Sequence, residues 1–272
     1  MPKTIAADIH VNAIFETTNG PVVITEIKSS RHVKICFVEY PCEIIVRVVQ
    51  LRNRMIRNPM RPTTCDIGFL GIGPHVSKVK GVQNPVHRVW SNMFFRVYSP
   101  ATPDVARVYA GTSVHSNWHN FQNFAEWYHN QIDRFGPVKH RWHLDKDLLI
   151  PGNRVYGPDT CCLIPLEVNE LFTDSANARG EYPMGVNFRR TKSGTFEAQC
   201  KTPGSNKRYI SSHNSAWKAQ IAYWEYKFRM IQKVAIWHWQ YIPYDLACRL
   251  LSFGWDDARA YYGDDAIIRY DL

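Results

Sequence analysis

The sequence predicts an α+β protein assembled from several small modules. Its first 82 residues contain short apolar runs typical of strands, whereas two later stretches repeat aromatic residues at helical spacing. Hydrophobic residues make up 45% of the 272 residues and aromatic residues 13%, which indicates folded cores. We expect a basic β-rich module, a central unit with a preceding helix, a third small module and a helical acidic tail, at residues 1–82, 83–180, 181–235 and 236–272.

The N-terminal module is predicted to be a small barrel or an open sheet. Strand-like runs cover residues 21–27, 33–38 and 42–49. An arginine cluster follows them and could contact phosphate groups or keep a strand edge soluble. The basic character of the whole module favours phosphate contact. The cluster consists of Arg52, Arg54 and Arg57.

A helix is predicted over residues 116–135, ahead of the central unit. Ser116 is a suitable N-cap and Gly136 a suitable C-terminal stop. The helix would carry one apolar stripe, which is more typical of a core than of a binding site. The stripe repeats at spacings of 3, 3, 4 and 4, and consists of Trp118, Phe121, Phe124, Tyr128 and Ile132.

Residues 140–172 concentrate side chains that can do chemistry. Two apolar runs separated by turn signals predict the order strand, loop, strand, helix, with Pro165 opening the helix. Asp147 and Asn169 are candidate ligands of a divalent metal ion, and Asn153 would position the loop. Oxygen ligands suit Mg²⁺ or Mn²⁺ rather than zinc. The alternative is that these residues are solvated loop carboxylates and a capping asparagine.

The motifs in this stretch resemble those of HNH (ββα-metal) nucleases, in particular the phage-borne, homing-endonuclease-like branch. They are LDKD at 144–147, GN at 152–153, the run at 156–161 and the late helical Asn169. The resemblance implies metal-dependent nicking or cleavage of duplex DNA. It aligns the first motif with Asp145 and Asp147, the central asparagine with Asn153 and the helical asparagine with Asn169.

One position departs from the HNH pattern. The general base of the family is a histidine, and the alignment places Asp145 there. His143 lies two residues earlier, so strand alternation puts it on the same face. An ordinary imidazole pKa of about 6.5 suits a general base better than an aspartate pKa of about 3.9. We therefore expect Asp145 or His143 to act as the base, with weak nicking or none.

The third module is predicted to be three strands covered by one helix. Strand-like runs cover residues 185–190, 195–201 and 207–210, and a helix begins near residue 211. The helix would bury one amphipathic face. Residues of that face repeat at spacings of 4, 3, 4 and 3, and they are Trp217, Ile221, Trp224, Phe228 and Ile231.

This module resembles the AP2-type DNA-binding domain. The matching motifs are Gly185-Val186, the run at 194–198 and the run at 219–223. The resemblance implies a sheet that lies in the major groove of DNA. A charged, solvated sheet face is the alternative. The basic residues that would face DNA are Arg189, Arg190, Lys192, Lys201, Lys207 and Arg208.

The charge is distributed unevenly along the chain. The net charge is +9, but residues 1–99 carry 13 basic and 6 acidic groups, and residues 187–233 carry 10 and 2. Two basic segments predict a polyanionic partner, and the HNH and AP2 resemblances imply that it is double-stranded DNA. The alternative is a soluble basic protein without such a partner. The sequence has no apolar run long enough for a membrane span and no signal-peptide core, so we expect no membrane association and a place in the cytoplasm of a bacterial host.

The favoured function is therefore that of a DNA-binding, metal-dependent endonuclease. One alternative is an HNH relic that has lost cleavage and acts as a DNA-binding regulator, which the missing histidine favours. Another is a virion-associated or protein-interaction protein that uses the aromatic C-terminal region. The seven cysteines are irregularly spaced with no C-x-x-C pair, which argues against a disulfide framework and against zinc.

Overall fold

The computed structural model describes residues 7–133, 141–172, 182–190, 194–202 and 208–263. The protein is α+β, as the sequence predicts. It divides into two compact units, and the predicted boundaries at residues 180 and 235 both fall inside the second. The first unit is Met1–Ala110 with Val114–Trp127, and the second is Gly111–Ser113 with Tyr128–Leu272.

The first unit contains a four-stranded antiparallel sheet whose strands follow one another in sequence order. This pairing is that of an open meander. Alternate residues of the central strands are fully buried, among them Val22, Ile24, Val33 and Ile35. The first strand is short, exposes Ile14 and is missed by the sequence analysis. The strands are β1 Ile14–Thr17, β2 Gly20–Ile27, β3 His32–Phe37 and β4 Glu43–Arg47.

Another part of the first unit contains an aromatic cluster. Trp90 is fully buried, and its indole N–H donates to the carbonyl of Trp118 at 2.7 Å. Its ring lies 5.0 Å from that of Phe94 and 5.5 Å from that of Phe121, which are contact distances for aromatic pairs. The helices and strands that follow β4 in the chain are α1 Val48–Arg52, β5 Lys78–Val79, β6 Val82–Gln83, α2 Pro85–Tyr98, α3 Pro103–Val108 and the short strand β7 Ser113–Val114.

The predicted single helix over residues 116–135 is wrong at its N-terminal end. Ser116–His119 forms a short 3-10 helix, and α4 covers Phe121–Asp133. Asn120 separates the two, because its side-chain oxygen accepts a hydrogen bond from the backbone N–H of Gln122 at 3.0 Å, as an N-cap residue does. The predicted stop at Gly136 lies outside the described residues. The stripe is confirmed as core at Trp118, Phe121, Phe124 and Tyr128, which are all buried.

The second unit builds one hydrophobic core from three parts of the chain. Ile164 and Val168 come from the first part, Ala198 and Trp224 from the second, and Leu246 from the C-terminal part. The predicted third module and tail therefore share a core with residues 140–172. The elements are β8 Trp142–Asp145, β9 Val155–Tyr156, β10 Cys162–Pro165, α5 Leu166–Phe172, β11 Val186–Arg189, β12 Thr195–Gln199, β13 Tyr209–His213, α6 Ala216–His238, α7 Tyr244–Leu251 and α8 Trp255–Tyr262.

Three strands and one helix are present where the sequence predicts them, but the buried face of the helix differs. The sheet has the order β11-β12-β13, and β13 continues to His213, so α6 begins later than expected. Trp217 and Ile221 are 36% and 38% exposed, whereas Ala219 and Tyr223 are buried. Helix α6 covers the sheet, so the face that it buries is broader than the five-residue apolar face predicted from the sequence.

Helix α6 is 23 residues long, and polar residues interrupt its apolar face. Within the described ranges, no helix is both long and apolar enough to cross a membrane.

Gly185 permits close contact between the sheet and α6. Its φ is +77°, and a Cβ built on it would lie 2.1 Å from the ring of Tyr223. We expect Gly185→Ala to lower the free energy of unfolding by about 3 kcal/mol or more, because left-handed backbone strain and a ring clash add together. Gly152→Ala is the matched control, since Gly152 has a φ of +75° but nothing within 4 Å of a Cβ. Equal losses in urea denaturation for both variants would contradict the close contact.

Candidate functional site

Residues 142–172 form a ββα unit in the predicted order. Strands β8 and β10 are antiparallel, with Asp145 opposite Cys162 and His143 opposite Ile164. Helix α5 follows β10 without a loop, and it begins directly after Pro165, as predicted. The loop between the strands also contains the short strand β9. The unit thus brings His143 on β8 close to Asn169 on α5.

His143 and Asn169 meet across the unit. The Nδ1 atom of His143 lies 3.5 Å from Nδ2 of Asn169, and both side chains are partly buried. The amide oxygen and nitrogen of an asparagine are assigned from their partners, so the opposite orientation would let Nδ1–H donate to the amide oxygen. In that tautomer the proton lies on Nδ1 and the basic lone pair lies on Nε2. His143, a candidate base, therefore contacts Asn169, the candidate metal ligand on the helix.

Asp145 supports the backbone of the loop that follows it. Its Oδ1 accepts hydrogen bonds from the backbone N–H groups of Asp147 at 2.8 Å and Leu148 at 2.7 Å. Burial raises the pKa of Asp145, and these two hydrogen bonds act against that rise. An oxygen that holds two backbone amides cannot take a proton from water without loosening the turn. Oδ1 of Asp145 therefore has a structural role in this turn.

Lys146, Asp147 and Asn153 hold the loop together. The ammonium of Lys146 donates to a carboxylate oxygen of Asp147 at 2.6 Å and to the carbonyl of Asn153 at 3.0 Å. The Asn153 amide donates to the carbonyls of Lys146 and Val155, both at 2.8 Å, and its oxygen accepts from the Val155 N–H at 3.1 Å. Asn153 thus orients the loop, as its predicted role requires.

Removing the Asn153 side chain should destabilise the second unit. Asn153→Ala removes three hydrogen bonds with partly buried partners. We expect a loss of about 2–3 kcal/mol in the free energy of unfolding, since each such bond contributes about 1 kcal/mol. The exposed Asn130 on α4 provides the control, and Asn130→Ala should change stability by less than about 0.5 kcal/mol. Thermal denaturation monitored by circular dichroism would measure both.

C-terminal residues that the sequence analysis did not single out also support this unit. The guanidinium of Arg249 on α7 donates to the carbonyls of Leu148 and Leu149, the latter at 3.0 Å. The hydroxyl of Tyr262 on α8 donates to the carbonyl of Leu171 at 3.3 Å. These contacts span about a hundred residues of sequence, and no local spacing could have indicated them.

The charges of the two loop carboxylates act on Tyr261. Burial, followed by the negative charges of Asp145 and Asp147, raises the pKa of its phenol well above the ordinary value. The phenol therefore stays protonated at neutral pH. Its ring also packs against Phe172, with centroids 5.2 Å apart, which fixes α8 beside α5. Tyr261 thus packs α8 against α5.

The two predicted ligands of Mg²⁺ or Mn²⁺ are engaged with different partners. Asn169 contacts His143, whereas a carboxylate oxygen of Asp147 pairs with Lys146. Oxygen donors suit these ions, but an ammonium already neutralises this carboxylate. In the part of the chain that the structure describes, no three His, Cys, Asp or Glu side chains are grouped so as to hold a metal. As arranged, the carboxylate oxygen of Asp147 that pairs with Lys146 is not open to a divalent ion.

A second candidate site is the outer face of the three-stranded sheet, defined as the face opposite α6. Arg189 pairs with Glu197 at 3.2 Å, and its side chain remains 67% exposed. Gln199 donates to Glu197 at 3.0 Å, and the amide of Asn187 donates to Gln199 at 3.1 Å. Tyr209 and Ser212 share a hydrogen bond at 3.1 Å on β13. This face presents ordered amide, hydroxyl and guanidinium groups to solvent.

The other predicted DNA contacts lie at the ends of these strands. Arg190 and Arg208 are exposed, and Lys201 is exposed but pairs with Glu170 at 2.9 Å. Lys192 and Lys207 lie outside the described residues. Lys227 contributes to the basic charge of this segment but is buried on α6, and burial lowers its pKa. Of the four described basic residues predicted to face DNA, Arg189 lies within a strand, whereas Arg190, Lys201 and Arg208 lie beyond the strand ends.

The arginine cluster of the first unit is only partly available to a ligand. Arg52 forms an ion pair with Asp8, with contacts of 2.6 and 3.1 Å. Arg54 and Arg57 are exposed in the segment after α1. An ion pair on the surface contributes little to stability and can open for a phosphate group. Arg54 and Arg57 are therefore the stronger candidates for contact with an anion.

A scan against protein-family models found no match to this chain, and searches of curated proteins and of solved structures found none either. The function must therefore be argued from the residues and their geometry.

Proposed function

We propose that this chain binds duplex DNA and that its ββα unit is a nuclease centre of the HNH type. The contact between His143 on β8 and Asn169 on α5 is the observation that supports the centre most directly. It places a potential base beside a polar helix residue, on a scaffold of two strands and a helix. The motifs LDKD and GN occupy the same unit.

In the proposed reaction, His143 acts as the general base. Its Nε2 takes a proton from water while the water oxygen forms a bond to phosphorus. The bond from phosphorus to the leaving oxygen breaks, and that oxygen takes a proton from a solvent water. Asn169 orients the imidazole through Nδ1. Asp145 and Asn153 hold the loop that follows the strand, through their bonds to backbone groups. The sequence-based expectation of Mg²⁺ or Mn²⁺ belongs to the same proposal.

We propose that the outer sheet face contacts DNA. An arginine can donate two hydrogen bonds to guanine, and asparagine or glutamine can pair with adenine, so Arg189, Asn187 and Gln199 have suitable chemistry. Glu197 and the hydrogen bonds around it hold these side chains in fixed positions before binding. Exposed Arg190 and Arg208 at the strand ends are placed to contact phosphates.

A plasmid assay tests the nuclease proposal. Supercoiled DNA is incubated with the protein and Mg²⁺ or Mn²⁺, with and without EDTA, and relaxed circles are measured. The proposal expects relaxed circles only when the metal is present. Binding without relaxed circles under either metal would support a second function, that of a DNA-binding regulator. The ion pair between Lys146 and Asp147 favours that alternative, because it neutralises the carboxylate expected to bind metal.

A protein-interaction role is favoured by a different surface. Trp237, Trp239 and Tyr244 near the end of α6 and the start of α7 are 56%, 61% and 76% exposed. Exposed aromatic side chains of this size are enriched at protein interfaces. Size-exclusion chromatography with light scattering would test self-association, and a monomer unaffected by Trp239→Ala would argue against self-association through this surface.

A further inference from the structure

Lys146 of the ββα unit is a lysine whose side chain is almost fully buried. Its side chain is 9% exposed, against 43% and 45% for Lys28 and Arg52 in their ion pairs. Burying an ammonium is costly unless it is paired and hydrogen-bonded. Two acceptors meet that need here, a carboxylate oxygen of Asp147 at 2.6 Å and the carbonyl of Asn153 at 3.0 Å.

These two acceptors are oxygens of the kind that bind a hard cation. A carboxylate and a backbone carbonyl are common ligands of divalent ions in proteins. Here both converge on one buried point, and a lysine ammonium lies there. The Asn153 side chain fixes that carbonyl by binding the carbonyl of Lys146 and the N–H of Val155. The loop thus forms an ordered position for a cation, and the ammonium of Lys146 lies in that position.

We infer that the Lys146 ammonium occupies the cation position of this centre, and that a divalent ion reaches Asp147 only by displacing it. The inference rests on the proposed function in treating Asp147 as a cation-binding carboxylate. It explains why the paired oxygen of Asp147 is not open to a metal as arranged, and it makes metal affinity a property that one substitution changes. The ligand class is a divalent cation with oxygen ligands, Mg²⁺ or Mn²⁺.

The test is calorimetric titration of the full chain with MnCl₂, without DNA. Lys146→Met removes the charge and keeps an apolar stem of similar length, so Mn²⁺ affinity should rise at least about tenfold. Lys146→Arg keeps the charge and should bind no more tightly than the wild type. Adding Asp147→Asn to the methionine variant should abolish the gain, because the gain requires the freed carboxylate.

Lys34→Met is the matched control, since it breaks an ion pair with Glu43 on the sheet of the first unit and should leave Mn²⁺ affinity unchanged. If Lys146→Met does not fold, Lys146→Gln retains a donor for the Asn153 carbonyl while removing the charge, and the same gain is expected. Unchanged affinity in a folded, uncharged variant would overturn the inference. The titration contains no DNA, so its outcome is independent of the plasmid assay. An absence of nicking would contradict the proposed function without contradicting a gain in Mn²⁺ affinity.

Discussion

Raising the salt concentration from 50 to 200 mM should weaken binding of this protein to duplex DNA roughly 500-fold, from a slope of about −4.5 in log K against log salt. The slope follows from about five phosphates neutralised, each releasing close to one counterion. The basic segment at 187–233 motivates that number, with 10 basic and 2 acidic groups. Fluorescence anisotropy with a labelled duplex at several salt concentrations would measure it.

Single substitutions then locate the contact surface. Arg189→Ala should weaken binding, because it removes an exposed guanidinium from the outer sheet face. Arg107→Ala is the control, since this exposed arginine pairs with Asp104 in a segment of net negative charge. A flat salt response, or an equal loss in both variants, would reject the sheet as the binding surface.

The ββα unit could be predicted from the sequence because local signals define it. Turn residues around Gly152 and Pro158 divide the two apolar runs, and the strands and helix occupy those positions. The partners of its polar side chains could not be predicted in the same way. Whether Asp147 meets Asn169 or Lys146 depends on side-chain directions in an irregular loop, which periodicity does not fix.

The third module shows the same division. Alternation identified three strands, and helical spacing identified α6. The buried face of α6 was predicted correctly at Trp224 and Ile231, which are fully buried, but wrongly at Trp217 and Ile221, which fit the apolar spacing and are exposed. Long-range contacts such as that of Arg249 with the Leu149 carbonyl give no local signal at all.

His143→Ala should reduce plasmid nicking by about 100-fold or more, which is the usual effect of removing a general base. In the proposed reaction the imidazole of His143 accepts the proton of the attacking water, and Asn169 contacts it from the helix. The nicking rate should also rise with pH until the imidazole is neutral, because only the neutral form takes a proton. His143→Ala should unfold at nearly the wild-type temperature, which separates lost chemistry from lost structure.

Asp145→Asn provides the decisive comparison. The asparagine keeps an oxygen that can accept from the N–H groups of Asp147 and Leu148, so the turn should persist. It has no carboxylate, so it cannot act as a base. If His143 is the base, Asp145→Asn should retain nicking within about tenfold of the wild type while His143→Ala loses it. The reverse pattern, loss in Asp145→Asn and retention in His143→Ala, would assign the base to Asp145 and overturn the role proposed for His143.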